Sequence, residues 1–98
     1  MLKRICRGLK LIIKLKEEIS SNLIIRLDAE QLFEKLENNT SKVVMDFEGI
    51  EFINRSFAQE YLNQKFNAKY EIEEINLPDE VKNMFNVILE WNNIDMRY

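Results

Sequence analysis

Lys42-Val43-Val44-Met45-Asp46-Phe47 is the stretch on which the fold turns. Its apolar residues follow one another instead of alternating with polar ones, and two of them are β-branched. A strand with that pattern is buried on both faces, as at the centre of a sheet covered by helices. Gly49 then permits a turn, and Ile50, Phe52 and Ile53 keep the next segment against the core.

Reading outward, the segments on either side alternate in period. Upstream, Asp28-Ala29-Glu30-Gln31 has the layout of a capping box, which predicts a helix from Asp28 to Glu37. Ala29, Leu32, Phe33 and Leu36 give it one apolar stripe, and Asn38 to Ser41 end it. Before it, Leu9, Leu11, Ile13 and Leu15 recur at period two and predict a strand with one buried face over residues 9–16. After the turn Ser20-Ser21-Asn22, the run Leu23-Ile24-Ile25 reads as a second strand and offers a hairpin partner for the first.

Downstream, Ser56-Phe57-Ala58-Gln59 again has the form Ser-x-x-Gln and predicts a helix from Ser56, as N-cap, to Phe66. Residues 70–76 predict a short strand. Pro78 stands where a first helical turn tolerates it, and Val81, Met84, Phe85, Ile88 and Trp91 make a core-facing helical stripe. The predicted order is β-β-α-β-α-β-α. This is an α/β fold with a mixed or partly parallel four-stranded sheet and about three helices, for which one covered face suffices at this size.

Ninety-eight residues, 46% of them apolar and with six Phe, three Tyr and one Trp, suit a single domain over residues 1–98 with a modest core. Two Gly, one Pro and no biased stretch argue against linkers and low-complexity tails. Cys6 is the one cysteine and histidine is absent, so an internal disulfide, a His-ligated metal and a Ser-His or Cys-His nucleophile are all excluded.

The net charge of −3 is unevenly spread. Residues 1–16 hold Lys3, Arg4, Arg7, Lys10, Lys14 and Lys16 and no acid, leaving eight bases against seventeen acids in the remainder. An acidic body repels nucleic acid, so the basic segment reads as a solvated strand edge guarded by lysines. Lys10 and Lys14 interrupt the apolar N-terminal run, no small-residue cleavage site follows, and no apolar stretch of about 20 residues exists to span a bilayer. The expectation is a cytoplasmic protein that binds neither nucleic acid nor membrane.

Four acids, Asp46, Glu48, Glu51 and Glu60, lie near the central strand and its loop, but without a D-x-D-x-D-G pattern they read as solvated charges and predict no metal. Neither Gly8 nor Gly49 belongs to a phosphate-cradling glycine motif, so no cofactor is expected. A helix starting at Ser56, with Arg55 beside it, still presents free amides to an anion. No base is in place to make Ser56 a nucleophile, and no enzymatic activity is expected.

The unbroken stretch Val43 to Ser56, continued by Phe57-Ala58-Gln59-Glu60, resembles the signature of STAS-like domains, relatives of the bacterial anti-sigma factor antagonists. There the pattern runs apolar strand, Asp, apolar, small or polar, Gly, apolar, any residue, two apolar, Asp, Ser or Thr, Ser, Gly, Leu. This chain departs from it with Asn54 at the second Asp, Arg55 at the first hydroxyl residue and Phe57 at the second Gly. The preceding helix and the strand and helix that follow are similar more loosely.

The resemblance implies a STAS-like sheet with helices on one side and a non-enzymatic regulatory module that docks a protein partner. It further implies that the partner is a serine kinase-like ATPase or an anti-sigma factor, and that Ser56 occupies the phosphorylated position. The expected contact set is Asn54, Arg55, Ser56, Phe57 and Glu60, with Phe57 an anchor if exposed, and a homodimer is compatible with it. The other reading is a sensor of a small anion or nucleotide, bound at the start of the Ser56 helix.

Overall fold

The computed structural model describes residues 10–36 and 42–98. Leu9, Cys6, the bases Lys3, Arg4 and Arg7, and the predicted helix end from Glu37 to Ser41 lie outside the described residues. Among the described residues the elements are, in order, β1 (Lys10–Lys14), α1 (Leu15–Glu18), β2 (Asn22–Leu23), α2 (Arg26–Glu34), β3 (Lys42–Asp46), β4 (Phe52–Ile53), α3 (Arg55–Phe66), β5 (Glu71–Ile75) and α4 (Asp79–Trp91).

β3 is the central strand, flanked by β1 and β5 in a three-stranded sheet whose pairings are all parallel. β2 and β4 form a separate two-stranded parallel pair, with Leu23 opposite Ile53. The expected hairpin of the first two strands is therefore corrected, and so is the single four-stranded sheet. α1 is the cause: Leu15 turns into the core, and Lys16-Glu17-Glu18 have low strand and good helix propensity, so one helical turn separates β1 from β2. The two strands then lie in different sheets.

Val43, Met45 and Phe47 enter the main core cluster together with Leu32 and Phe33 of α2, Phe57, Ala58, Tyr61 and Leu62 of α3, and Val81, Phe85, Ile88 and Leu89 of α4. These helices thus cover one face of the sheet. Val44, on the other face, is buried but stands outside the cluster, and Ile12, opposite it in register, is 58% exposed. Tyr61 is the hub of the core: it stacks on Phe85 at 5.2 Å and meets Phe33 and Phe47 edge-on at 5.5 and 5.8 Å. Each such pair adds about 0.5–1.5 kcal/mol to the burial term.

One polar cluster is built into this core. Glu74 of β5 shares the core face with Met45 and Ile13, and its carboxylate accepts from Tyr61 Oη at 2.6 Å, Tyr98 Oη at 3.1 Å and Lys65 Nζ at 2.9 Å. Lys65 also donates to Tyr98 Oη at 2.7 Å. Burial first, and the Glu74 carboxylate second, push both tyrosines up, so they remain protonated donors. Tyr98 is pinned further by its own amide, which donates to Asn86 Oδ1 at 2.8 Å, and by its ring against Phe85.

The C-terminal ends of the strands are tied by Asp46. Its Oδ1 accepts from Asn76 Nδ2 at 3.0 Å and from the Glu48 amide at 2.9 Å, fixing Asn76 in its left-handed conformation and starting the turn at Gly49. Gly49 has φ +81°, a left-handed conformation that favours glycine, and a Cβ there would displace only the flexible end of the exposed Lys16 side chain.

The Asn76 amide first, then the Glu48 amide, hold the Asp46 carboxyl below its ordinary range, against burial and with help from Lys14. A depressed folded pKa stabilises the fold above the unfolded value of about 3.9, and that contribution is lost as pH falls through the folded value. Asp46→Asn is therefore expected to cost about 1 kcal/mol near neutral pH and less at a pH below the unfolded value of about 3.9. Urea midpoints at the two pH values check this; an equal cost at both would refute it.

Candidate functional site

The predicted contact residues meet at the start of α3, with one shift of frame. Asn54, not Ser56, is the N-cap: it has extended backbone, and its Oδ1 accepts from the Phe57 amide at 2.9 Å. The register with β2 decides this, because the Asn54 amide still donates to Leu23 O at 2.9 Å and makes Asn54 the last extended residue. Arg55 and Ser56 are then the first two helical residues, whose amides have no intrahelical acceptor. Asn54→Ala is expected to cost about 1 kcal/mol and Ser56→Ala less than about 0.5 kcal/mol, read from denaturant midpoints.

Phe57 is corrected as a surface anchor. It is fully buried in the core cluster and offers no side chain to a partner. Trp91 is corrected in the opposite sense: it ends α4 beyond the core and is 59% exposed, while Leu89 is buried in its place. The Arg55 guanidinium lies 4.6 Å over the Trp91 ring, a cation–π contact joining the first turn of α3 to the last of α4.

Glu60, one turn after Ser56, is buried and doubly held. Its Oε1 lies 3.2 Å from Arg26 Nε of α2 and its Oε2 accepts from Gln64 Nε2 at 2.8 Å. Arg26 was not singled out by any sequence pattern. It lies before the capping box read at Asp28, whereas α2 begins at Arg26 with Ile25 as an N-cap that makes no side-chain bond; Asp28 instead sits in the first turn, where the helix dipole favours an acid.

Arg26, Arg55, Ser56, Gln59, Glu60, Asn63 and Trp91 line one open groove of about 370 Å³. Ser56 is exposed, and among the described residues its hydroxyl has no hydrogen-bond partner. Asp46, Glu48, Glu51 and Glu60 do not assemble: among the described residues no group of three or more acids or cysteines could hold a metal. The groove's side chains are two arginines, one of them paired with the Glu60 carboxylate, together with an exposed indole, two side-chain amides and an unbonded hydroxyl.

The class that fold and site define is an α/β protein with a small parallel sheet, helices on one face and an open arginine-containing groove at one helix start. Among the described residues no helix is long and apolar enough to cross a membrane. Comparison of the chain with protein-family models, curated proteins and solved structures finds no match.

Proposed function

We propose that this chain is a STAS-like, non-enzymatic regulatory module of the cytoplasm. It docks a serine kinase-like ATPase or an anti-sigma factor around Asn54 to Glu60 and is switched by phosphorylation of Ser56. The observation that carries this reading is the exposed, unbonded Ser56 hydroxyl in a groove shared with Arg26 and Arg55. Support also comes from the ungapped signature from Val43 to Ser56, which coincides with a central strand, a turn and a helix start. The docking side chains on this reading are Arg55, Ser56 and the groove residues, with Asn54 holding the helix start and Phe57 supporting it from the core.

Phosphorylation transfers the γ-phosphoryl group of ATP to Ser56 Oγ. The new Oγ–P bond replaces the bond to ADP, which leaves, and a base of the partner takes the hydroxyl proton. The product adds about −1.5 to −2 charges to a docking surface fitted to a neutral hydroxyl, which expels the partner. Incubation with the kinase-like ATPase encoded nearest to this chain and ATP, followed by intact mass, is expected to show one phosphate on wild type and none on Ser56→Ala. Wild type that gains no mass with any such ATPase refutes the switch.

One observation favours a second reading, a nucleotide or small-anion sensor: an exposed indole and two arginines share the groove. A ligand at 100 times its dissociation constant adds about 2.7 kcal/mol to stability, so a thermal-shift panel of nucleotides separates the two.

A further inference from the structure

Ser56 and Glu60 are four residues apart on α3, hence neighbours on one helix face, and both line the groove. A phosphate on Ser56 would stand one turn from the Glu60 carboxylate and repel it. The cations in the same groove are Arg26 and Arg55. Arg55 is stacked on Trp91, which fixes its plane. Arg26 is the movable one: its side chain is 67% exposed and reaches Glu60 and Glu30 by Nε at 3.2 and 3.5 Å. Glu60 does not depend on it alone, because Gln64 keeps a donor on its other oxygen.

We infer that Arg26 is the residue that reads the state of Ser56: it pairs with Glu60 while the hydroxyl is free and moves to the phosphate when Ser56 is modified. The inference rests on the reading of Ser56 as a phosphorylation site and deepens it. A dianion outcompetes a carboxylate for a guanidinium, and the fork of N–H donors fits phosphate oxygens in pairs. Because Arg26 opens α2 and Ser56 lies in the first turn of α3, the exchange carries the charge state of α3 to the start of α2, including the exposed Ile25 and Leu27 on either side of Arg26. Arg26 is thus a positioning residue for the switch and does not itself react.

The test uses the full chain with phosphoserine incorporated at position 56 during synthesis, titrated by phosphorus NMR. The second phosphate ionisation, ordinarily near pH 6, is expected about half a unit lower in the otherwise wild-type chain. Arg26→Gln should return most of that shift and Arg55→Gln less than half of it. Glu60→Gln, which removes the competitor and keeps the shape, should lower the ionisation further. An unshifted phosphate, or a shift that survives Arg26→Gln, overturns the exchange. No kinase enters this experiment, so absence of a kinase for Ser56 overturns the phosphorylation reading alone, and an unshifted phosphate overturns the exchange alone.

Discussion

Lys65→Met is expected to lower the free energy of unfolding by about 3 kcal/mol, a large share of the total for a domain of this size. The side chains of Lys65 and Glu74 are only 15% and 7% exposed, and among the described residues their 2.9 Å contact is the ion pair with both members most withdrawn from water. Removing the ammonium leaves a carboxylate inside the core with two tyrosine hydroxyls as neutral donors. Hydroxyls satisfy lone pairs but do not neutralise charge. The cost is therefore dominated by the stranded Glu74, which predicts strong non-additivity: Lys65→Met with Glu74→Gln, which removes the charge and keeps an acceptor for the two hydroxyls, should recover most of the loss.

Tyr98→Phe, which deletes one hydroxyl from the same network, should cost about 1–2 kcal/mol and leave the ion pair intact. Urea unfolding of the four chains is the measurement, with the midpoint falling and the slope unchanged. A Lys65→Met loss below about 1 kcal/mol, or a double variant no better than the single, would show that the pair is effectively solvated.

Local pattern made parts of this fold legible. The β-branched run at Val43–Val44 marked the central strand, and the stripe Val81, Met84, Phe85, Ile88 marked α4. Strand partners were not legible, because pairing depends on crossover geometry: β1 passes over its sequence neighbour β2 to join β3, with the helical turn α1 lying between β1 and β2. Cap positions were ambiguous for another reason. Asn54-x-x-Phe57 and Ser56-x-x-Gln59 both offer a capping side chain, and the tie is broken by the β2–β4 ladder, a long-range fact. Arg26 escaped notice on the same ground, since its partner Glu60 is 34 residues away and no spacing rule joins them. Trp91 fell on the periodic stripe, but periodicity cannot tell where a helix outruns its core.

Phe57→Ala is expected to cost about 3–5 kcal/mol, the range for emptying a fully buried phenylalanine site. Phe57 lies at the third position of α3, its amide is the one capped by Asn54, and its ring anchors the helix start in the cluster shared with Tyr61 and Phe85. The groove is therefore presented by a packed residue that no partner can touch, and loss of Phe57 should disturb the groove only through loss of folding. Phe57→Leu, which keeps most of the volume, should cost less than about 1.5 kcal/mol and leave Ser56 as accessible as before. Partner binding by Phe57→Ala should then fall in proportion to the unfolded fraction, whereas Arg55→Ala should weaken binding while costing no more than about 0.5–1 kcal/mol, the worth of its exposed cation–π contact. Denaturant midpoints measured beside binding on the same preparations separate the two. Phe57→Ala that stays fully folded yet fails to bind would restore Phe57 as a direct contact and would require α3 to open when the partner docks.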